Sequence, residues 1–315
     1  SVSQTNTCPD IEQLRSLVAE DVQAADALIK SRLYCGTDLI NRVGDYILSS
    51  GGKRLRPLIT ILCAKAAGYK GKKHIDVAVI LELVHTATLL HDDVVDASKL
   101  RRGRKTVNVL YGNEASVLVG DFLYSRAFQM MVDLQNIRVL EILADATNTI
   151  AEGEVQQLAS KHNPETTLDD YLSTIQNKTA KLFEAAARLG AIISEENCQI
   201  EHALGSFGRH IGTAFQLVDD ALDYQISAGG ELGKNMGDDL AEGKPTLPLL
   251  YAMWKGDMKQ KTVIREGIEQ GGLEKLEPIL SAIDSTGAIT YTLNRARDEA
   301  RLAHKALEDI PESSY

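Results

Sequence analysis

Two stretches of this chain, residues 86–96 and 213–223, share the pattern T-A-x-x-L-x-D-D-x-x-D, 127 positions apart. In each, three acids close an apolar run with helical spacing. On a helix Asp92 and Asp96 stand one turn apart and share a face, as do Asp219 and Asp223. A buried helix has little reason to end in three acids unless they meet a cation, because like charges this close repel strongly. A lone DDxxD is more often a solvated acidic helix end. Two matching copies on apolar helices point instead to a cation site. Hard oxygen donors in this number suit Mg²⁺, which keeps its waters and bridges carboxylates to phosphate oxygens. The Cys/His spacing of zinc sites and the calcium-loop pattern of EF-hands are both absent.

Nearly every other stretch reads with the same helical period. Amphipathic or buried helices are expected over residues 11–30, 75–95, 115–134, 137–159, 168–189, 195–224 and 246–254. Gly- and Pro-marked loops fall at 51–52, 68–73, 163–164 and 227–243. No run of alternating strands appears, and none of the loops has linker composition. The expectation is an all-α fold, a single domain over residues 1–315 with about ten or more helices around a central cavity. Lys and Arg number 34 against 44 Asp and Glu, a net charge of −10, which argues against a nucleic-acid partner. The four cysteines lack metal-site spacing and are expected to be reduced and mostly buried. No run of eighteen apolar residues suggests an integral membrane span. The first ten residues are polar and lack a signal-peptide core, so the expected location is cytoplasmic.

An acidic protein that handles anions should gather its cations locally. GGKRLRP (51–57) sets Lys53, Arg54 and Arg56 before a helix that Pro57 could start, with glycines that let backbone N–H groups approach a phosphate. Arg101, Arg102 and Arg104 follow the first acidic cluster. Lys178 and Thr179 lie mid-chain, and Lys234 and Lys244 flank a Gly- and Asp-rich loop. Each group alone is more often a solvated surface patch. His85 lies two turns before Asp92 on nearly the same face, where a histidine is usually a hydrogen-bonded core residue.

Taken together, GGKRLRP, LLHDDVVD, LRRG, VLVGDFLYSRAFQ, NKTAKLFEAA, GTAFQLVDDALDY and LGKNMGDDLAEGKPTLPLL resemble the trans-prenyl diphosphate synthase family, and more closely its long-chain, octaprenyl-type members. The resemblance runs from about residue 51 to 250. It implies the isoprenoid synthase fold, with Lys53, Arg56, His85 and Arg102 holding the diphosphate of isopentenyl diphosphate. Arg101, Lys178, Lys234 and Lys244 would hold the allylic diphosphate, for example farnesyl diphosphate. Asp92, Asp96 and Asp219 would bridge it through Mg²⁺, with Asp93, Asp220 and Asp223 ligating or orienting waters. Thr179 and Gln216 would lie against the allylic substrate near the reacting carbon. The family is typically homodimeric, and its very apolar products suggest peripheral contact with a membrane surface.

The resemblance also places chain-length control at Ala87 and Thr88, five and four residues before the first acid. Small side chains there resemble long-chain enzymes, so a growing tail is expected to run past them, Val84 and Leu81. Phe128 and Met131 are candidates for a deeper floor, although ordinary core packing serves both equally well. The implied product has about eight isoprene units, for a quinone side chain. Rival readings are a shorter-chain geranylgeranyl or farnesyl diphosphate synthase and a non-catalytic subunit of a heteromeric synthase. Terpene cyclisation is disfavoured by the second DDxxD and by GGKRLRP.

Overall fold

The computed structural model describes residues 10–225 and 236–315. Cys8 and Lys234 lie outside the described residues. The chain opens with α1 (Ile11–Leu17), α2 (Ala19–Leu33), α3 (Asp38–Ser49), α4 (Leu55–Ala66) and α5 (Lys73–Val95). A hairpin follows, β1 (Leu100–Arg101) and β2 (Arg104–Lys105), and then α6 (Val107–Tyr111), α7 (Asn113–Asp133), α8 (Ile137–Ser160) and α9 (Leu168–Ile175). A π-helical turn, Gln176–Ala180, leads directly into α10 (Lys181–Ile193), which is followed by α11 (Cys198–Leu222). The last part holds α12 (Asp238–Ala241), α13 (Leu247–Lys255), α14 (Met258–Gln270), α15 (Leu276–Thr286) and α16 (Ala288–Ala306). The all-α expectation holds, and the hairpin is the sole sheet among the described residues.

Alpha-helix α5 is apolar on nearly all sides and correspondingly buried, as a helix packed by neighbours around its whole girth must be. By length and composition it could cross a membrane, yet 56% of its most apolar window is buried inside the protein. It packs against α7, α4, α2 and α10, and α10 in turn packs against α11, α4 and α8. Two large apolar clusters result. One gathers residues of α5, α7, α8 and α10, and the other gathers α11 with α13 to α16.

Several expected boundaries move for identifiable reasons. Val18 takes φ −128° and ψ 32°, which splits the expected 11–30 helix into α1 and α2. The expected 168–189 helix continues to Ile193, but through the π-helical turn. Pro57 sits in the first turn of α4, where its missing N–H has no intrahelical partner to lose. Helices α14 to α16 lie beyond the expected elements, although α14 buries Ile264 and Ile268 and α15 buries Ile279 and Ile283 at helical spacing, whereas α16 buries only Ala288, Thr292, Ala296 and Ala303. The free cysteines also depart from expectation: Cys63 is buried, Cys35 is half-buried and Cys198 is exposed.

The α10–α11 contact is close enough to need a missing side chain. A Cβ at Gly208 would stand 2.4 Å from the carbonyl oxygen of Phe183, which is backbone and cannot swing aside. Gly208→Val is therefore expected to destabilise the fold by about 1–3 kcal/mol, the usual cost of overpacking. A urea unfolding midpoint equal to that of the unaltered chain would show that the two helices can part freely.

Candidate active site

A cavity of about 1300 Å³ is lined by the C-terminal ends of α5 and α11, the start of α4, the hairpin and the π-helical turn. It gathers most residues singled out from the sequence: Lys53, Arg56, His85, Thr88, Asp92, Asp93, Asp96, Arg101, Arg102, Lys178, Thr179, Gln216, Asp219, Asp220 and Lys244. The two acidic clusters, far apart in sequence, thus face one space.

Each carboxylate there has a distinct setting. Asp93 is 4% exposed and accepts two bonds from Arg101, at 2.7 Å from Nη2 and 3.2 Å from Nε. Burial, with Asp92 and Asp96 adding to it, pushes its carboxyl up against the pull of Arg101. Asp96 sits between Lys161 Nζ at 2.8 Å and Lys244 Nζ at 3.1 Å. Burial alone would raise its carboxyl, but Lys244, Lys161 and Lys178 together outweigh that and hold it low. Asp92 lies 3.4 Å from Lys178 Nζ, which also reaches Glu154 at 3.2 Å. Burial and the nearby Asp92 lift Glu154 to about 8, despite Lys178. Burial, helped by Asp239, likewise raises Asp220 to about 8. Asp223 is buried, accepts the Asp239 backbone N–H at 3.0 Å and stands just behind the cavity lining.

This donor set fits a hard divalent cation. Its members are carboxylates, crowded enough that burial and one another's charge raise several of them, and a cation would relieve that. Among the described residues no three acidic, His or Cys side chains already form a metal cage.

The basic side of the cavity rests on backbone geometry. The β1–β2 hairpin pairs Arg101 with Arg104 across a two-residue turn whose members, Arg102 and Gly103, have φ of 53° and 74°. Both positive values mark the turn type whose twist matches paired strands, and they aim Arg102 back at the glycine loop. Arg102 Nη1 donates to the Gly51 carbonyl at 2.5 Å. Arg54 also adopts the left-handed region, at φ 46° and ψ 48°, directly before α4. Arg56 Nη1 lies 3.2 Å from His85 Nε2, and the guanidinium sits 4.4 Å over the buried Phe183 ring. Arginine only donates, so His85 Nε2 accepts and the ring proton resides on Nδ1. Burial, then Arg56, Arg101 and Arg102, keep His85 well below its usual value and therefore neutral near pH 7.

A profile of the polyprenyl synthetase family matches residues 37–283. The chain is 50% identical over 307 residues to octaprenyl diphosphate synthase of Escherichia coli, covering 97% of this chain and 95% of that one. It is 46% identical over 299 residues to a geranyl-diphosphate-specific all-trans-nonaprenyl-diphosphate synthase of Rhodobacter capsulatus, covering 95% and 91%. The chain belongs to the polyprenyl synthetase family. It is a prenyltransferase. A solved polyprenyl synthase from Caulobacter crescentus CB15, complexed with calcium and isoprenyl diphosphate, superposes with a TM-score of 0.93 at 40% identity, covering 98% of this chain and 94% of that one.

Several residues of this polyprenyl synthetase site carried no sequence signal. Lys161 follows the C-terminus of α8 and looks like any exposed helix-end lysine until the fold sets it on Asp96. Its neighbour His162 donates its backbone N–H to the Gly243 carbonyl at 2.8 Å, tying down the loop that carries Lys244. Glu154 and Gln157 of α8 meet Lys178 across the π-helical turn. That turn approaches α8 so closely that a Cβ at Gly153 would stand 2.5 Å from the Lys178 nitrogen. The one legible hint was Gly153 inside an otherwise regular helix, since such a glycine marks a close backbone approach.

The chain-length residues separate. Thr88 lines the cavity, whereas Ala87, Val84 and Leu81 are fully buried in the core cluster that also holds Met131. The expected channel past them is closed in this structure, so a tail running that way must displace packed side chains. Phe128 is 43% exposed on the outer face of α7 and is not among the cavity-lining residues.

At Gly52, φ is 150°, and an added Cβ would fall 2.3 Å from Arg102 Nη1. Gly52→Ala is expected to push Arg102 aside and raise the KM for isopentenyl diphosphate by about tenfold, the worth of one charge-assisted contact. Steady-state kinetics with both substrates checks this. An unchanged KM would show that the Arg102 cradle is not built on that contact.

Proposed function

We propose that this chain joins isopentenyl diphosphate repeatedly to an allylic diphosphate primer such as farnesyl diphosphate, and releases octaprenyl diphosphate for a quinone side chain. It is a long-chain trans-polyprenyl diphosphate synthase, as its octaprenyl- and nonaprenyl-forming relatives support. The observation that carries the proposal is the single cavity in which two acid-tipped helices face two separate basic groups. The whole chain acts in this proposal as one domain.

In this reading Arg101, Lys178, Lys234 and Lys244 bind the allylic diphosphate, while Lys53, Arg56, His85 and Arg102 bind isopentenyl diphosphate. Mg²⁺ held by Asp92, Asp96 and Asp219, with Asp93, Asp220 and Asp223 behind them, would supply Lewis-acid stabilisation of the departing diphosphate. The same lysines and arginines spread the leaving group's negative charge, so the allylic C–O bond can ionise. Thr179 and Gln216 turn oxygens toward the resulting cation. Fixing the isopentenyl double bond beside it replaces a chance encounter with an oriented one. The apolar walls keep water from the cation. Proton loss to the released diphosphate then completes the trans double bond.

The outer face of α7 supports a homodimer. It exposes Leu118 (64%), Val132 (62%) and Phe128 along one stripe, and a contiguous exposed apolar patch marks an interaction site. Location in the cytoplasm, with product released at a membrane surface, completes the proposal.

The test is product analysis of the purified chain with Mg²⁺, labelled isopentenyl diphosphate and farnesyl diphosphate. The expected main product carries about eight isoprene units, the outcome implied by small residues at Ala87 and Thr88; products stopping at three or four units would overturn the length assignment. No elongation of any allylic primer would overturn the reaction itself. Asp92→Ala is expected to lower kcat by at least about a hundredfold, as for other losses of transition-state charge stabilisation. Near-normal turnover would remove Asp92 from the metal bridge.

A further inference from the structure

We propose that Tyr171 is a positioning residue for prenyl transfer: through Asp220 it sets the Gln216 carboxamide with its oxygen, and not its NH₂ group, toward Thr179 and the cavity. The inference rests on the synthase reading above and adds a residue which that reading does not use.

Tyr171 sits on α9, buried among the apolar residues Ile175, Leu217 and Tyr224, with its edge at the cavity wall. Its hydroxyl donates to Oδ2 of Asp220, a residue only 4% exposed in the last turn of α11. The other carboxylate oxygen, Oδ1, accepts from Gln216 Nε2 at 2.8 Å. Both oxygens of Asp220 are thus engaged by protein donors, one on each side. In this arrangement Asp220 Oδ1 is the acceptor and the Gln216 amide turns its NH₂ to it. The amide oxygen is left on the opposite side, where Thr179 Oγ1 donates to it at 3.2 Å.

The direction of this chain of bonds matters for charge. Gln216 and Thr179 line the cavity on α11 and on the π-helical turn. With the amide set this way, the negative ends of two side-chain dipoles are placed where positive charge develops on the allylic carbon. Reversed, the amide would present N–H groups to a forming cation. Free in solution an amide has little reason to choose between these orientations. Here Asp220 makes the choice, and Tyr171 keeps Asp220 from rotating away from Gln216.

Steady-state kinetics on the full chain, with isopentenyl diphosphate, farnesyl diphosphate and Mg²⁺, tests this in Tyr171→Phe, Gln216→Leu and the double variant. Tyr171→Phe is expected to lower kcat by about tenfold while both KM values stay within about twofold, since the effect concerns the transition state and not diphosphate binding. The double variant should lose no more kcat than Gln216→Leu alone, the mark of two residues acting through one group. A Tyr171→Phe kcat within about twofold of the parent, or losses that multiply in the double variant, would overturn the positioning role. Should Tyr171→Phe fail to fold, Asp220→Asn reads the same geometry, because an amide there can pair with either end of Gln216. Unchanged kcat in that variant would also overturn the proposal. A parent chain that elongates nothing overturns the synthase reading itself, whereas an active parent with an additive cycle overturns only the role of Tyr171.

Discussion

Carboxylates at the tips of two buried helices can share one cavity only if something offsets their repulsion, and much else in this structure serves that need. Lys161 and Lys244 take the two oxygens of Asp96, Lys178 lies between Asp92 and Glu154, and Arg101 closes on Asp93. These cations come from the end of α8, the loop before α13, the π-helical turn and the hairpin. Removing one partner from such a buried pair leaves a charge uncompensated, which is why these segments are tied to one another as well as to the core. In the proposed reaction a diphosphate would take over the lysines and a metal the acids, so neither set would be left without opposite charge.

The backbone carries much of this positioning. Arg54 and Arg102 both occupy the left-handed region, which a residue with a Cβ adopts only when its surroundings compel it. His162, at φ 63°, does the same beside Lys161 while holding the Gly243 carbonyl. The π-helical turn inserts one extra residue into what would otherwise be a single helix from α9 to α10. Lys178 and Thr179 both reach the cavity from this turn.

Much of the site was legible because its chemistry needs charged residues in patterns that apolar packing never produces. Asp92, Asp93, Asp96, Asp219 and Asp220 of the paired T-A-x-x-L-x-D-D-x-x-D stretches, the Lys53 to Arg56 group, and Arg101, Arg102 and Arg104 line the cavity. Lys161, Glu154 and Tyr171 were not legible. Glu154 and Tyr171 are ordinary helix residues and Lys161 an ordinary helix-end residue, and the significance of each lies in a neighbour on a different element. The exposure of Phe128 has a related reason: periodicity identifies the apolar faces of α7 but not which of them meets the interior and which meets water.

The sequence alone determined that this chain is predominantly helical, that two helices end in metal-suited acids and that basic groups accompany them. Those properties follow from local spacing, since side chains three and four residues apart share a helix face whatever the rest of the chain does. Only the tertiary structure decided which cation meets which acid, and that the way past Ala87 is packed shut. It also decided that Asp220 engages Tyr171 and Gln216 with its two oxygens. Such choices depend on the distance between elements that are remote in sequence. That distance is set by close packing at points such as Gly208 against Phe183, which no periodicity encodes.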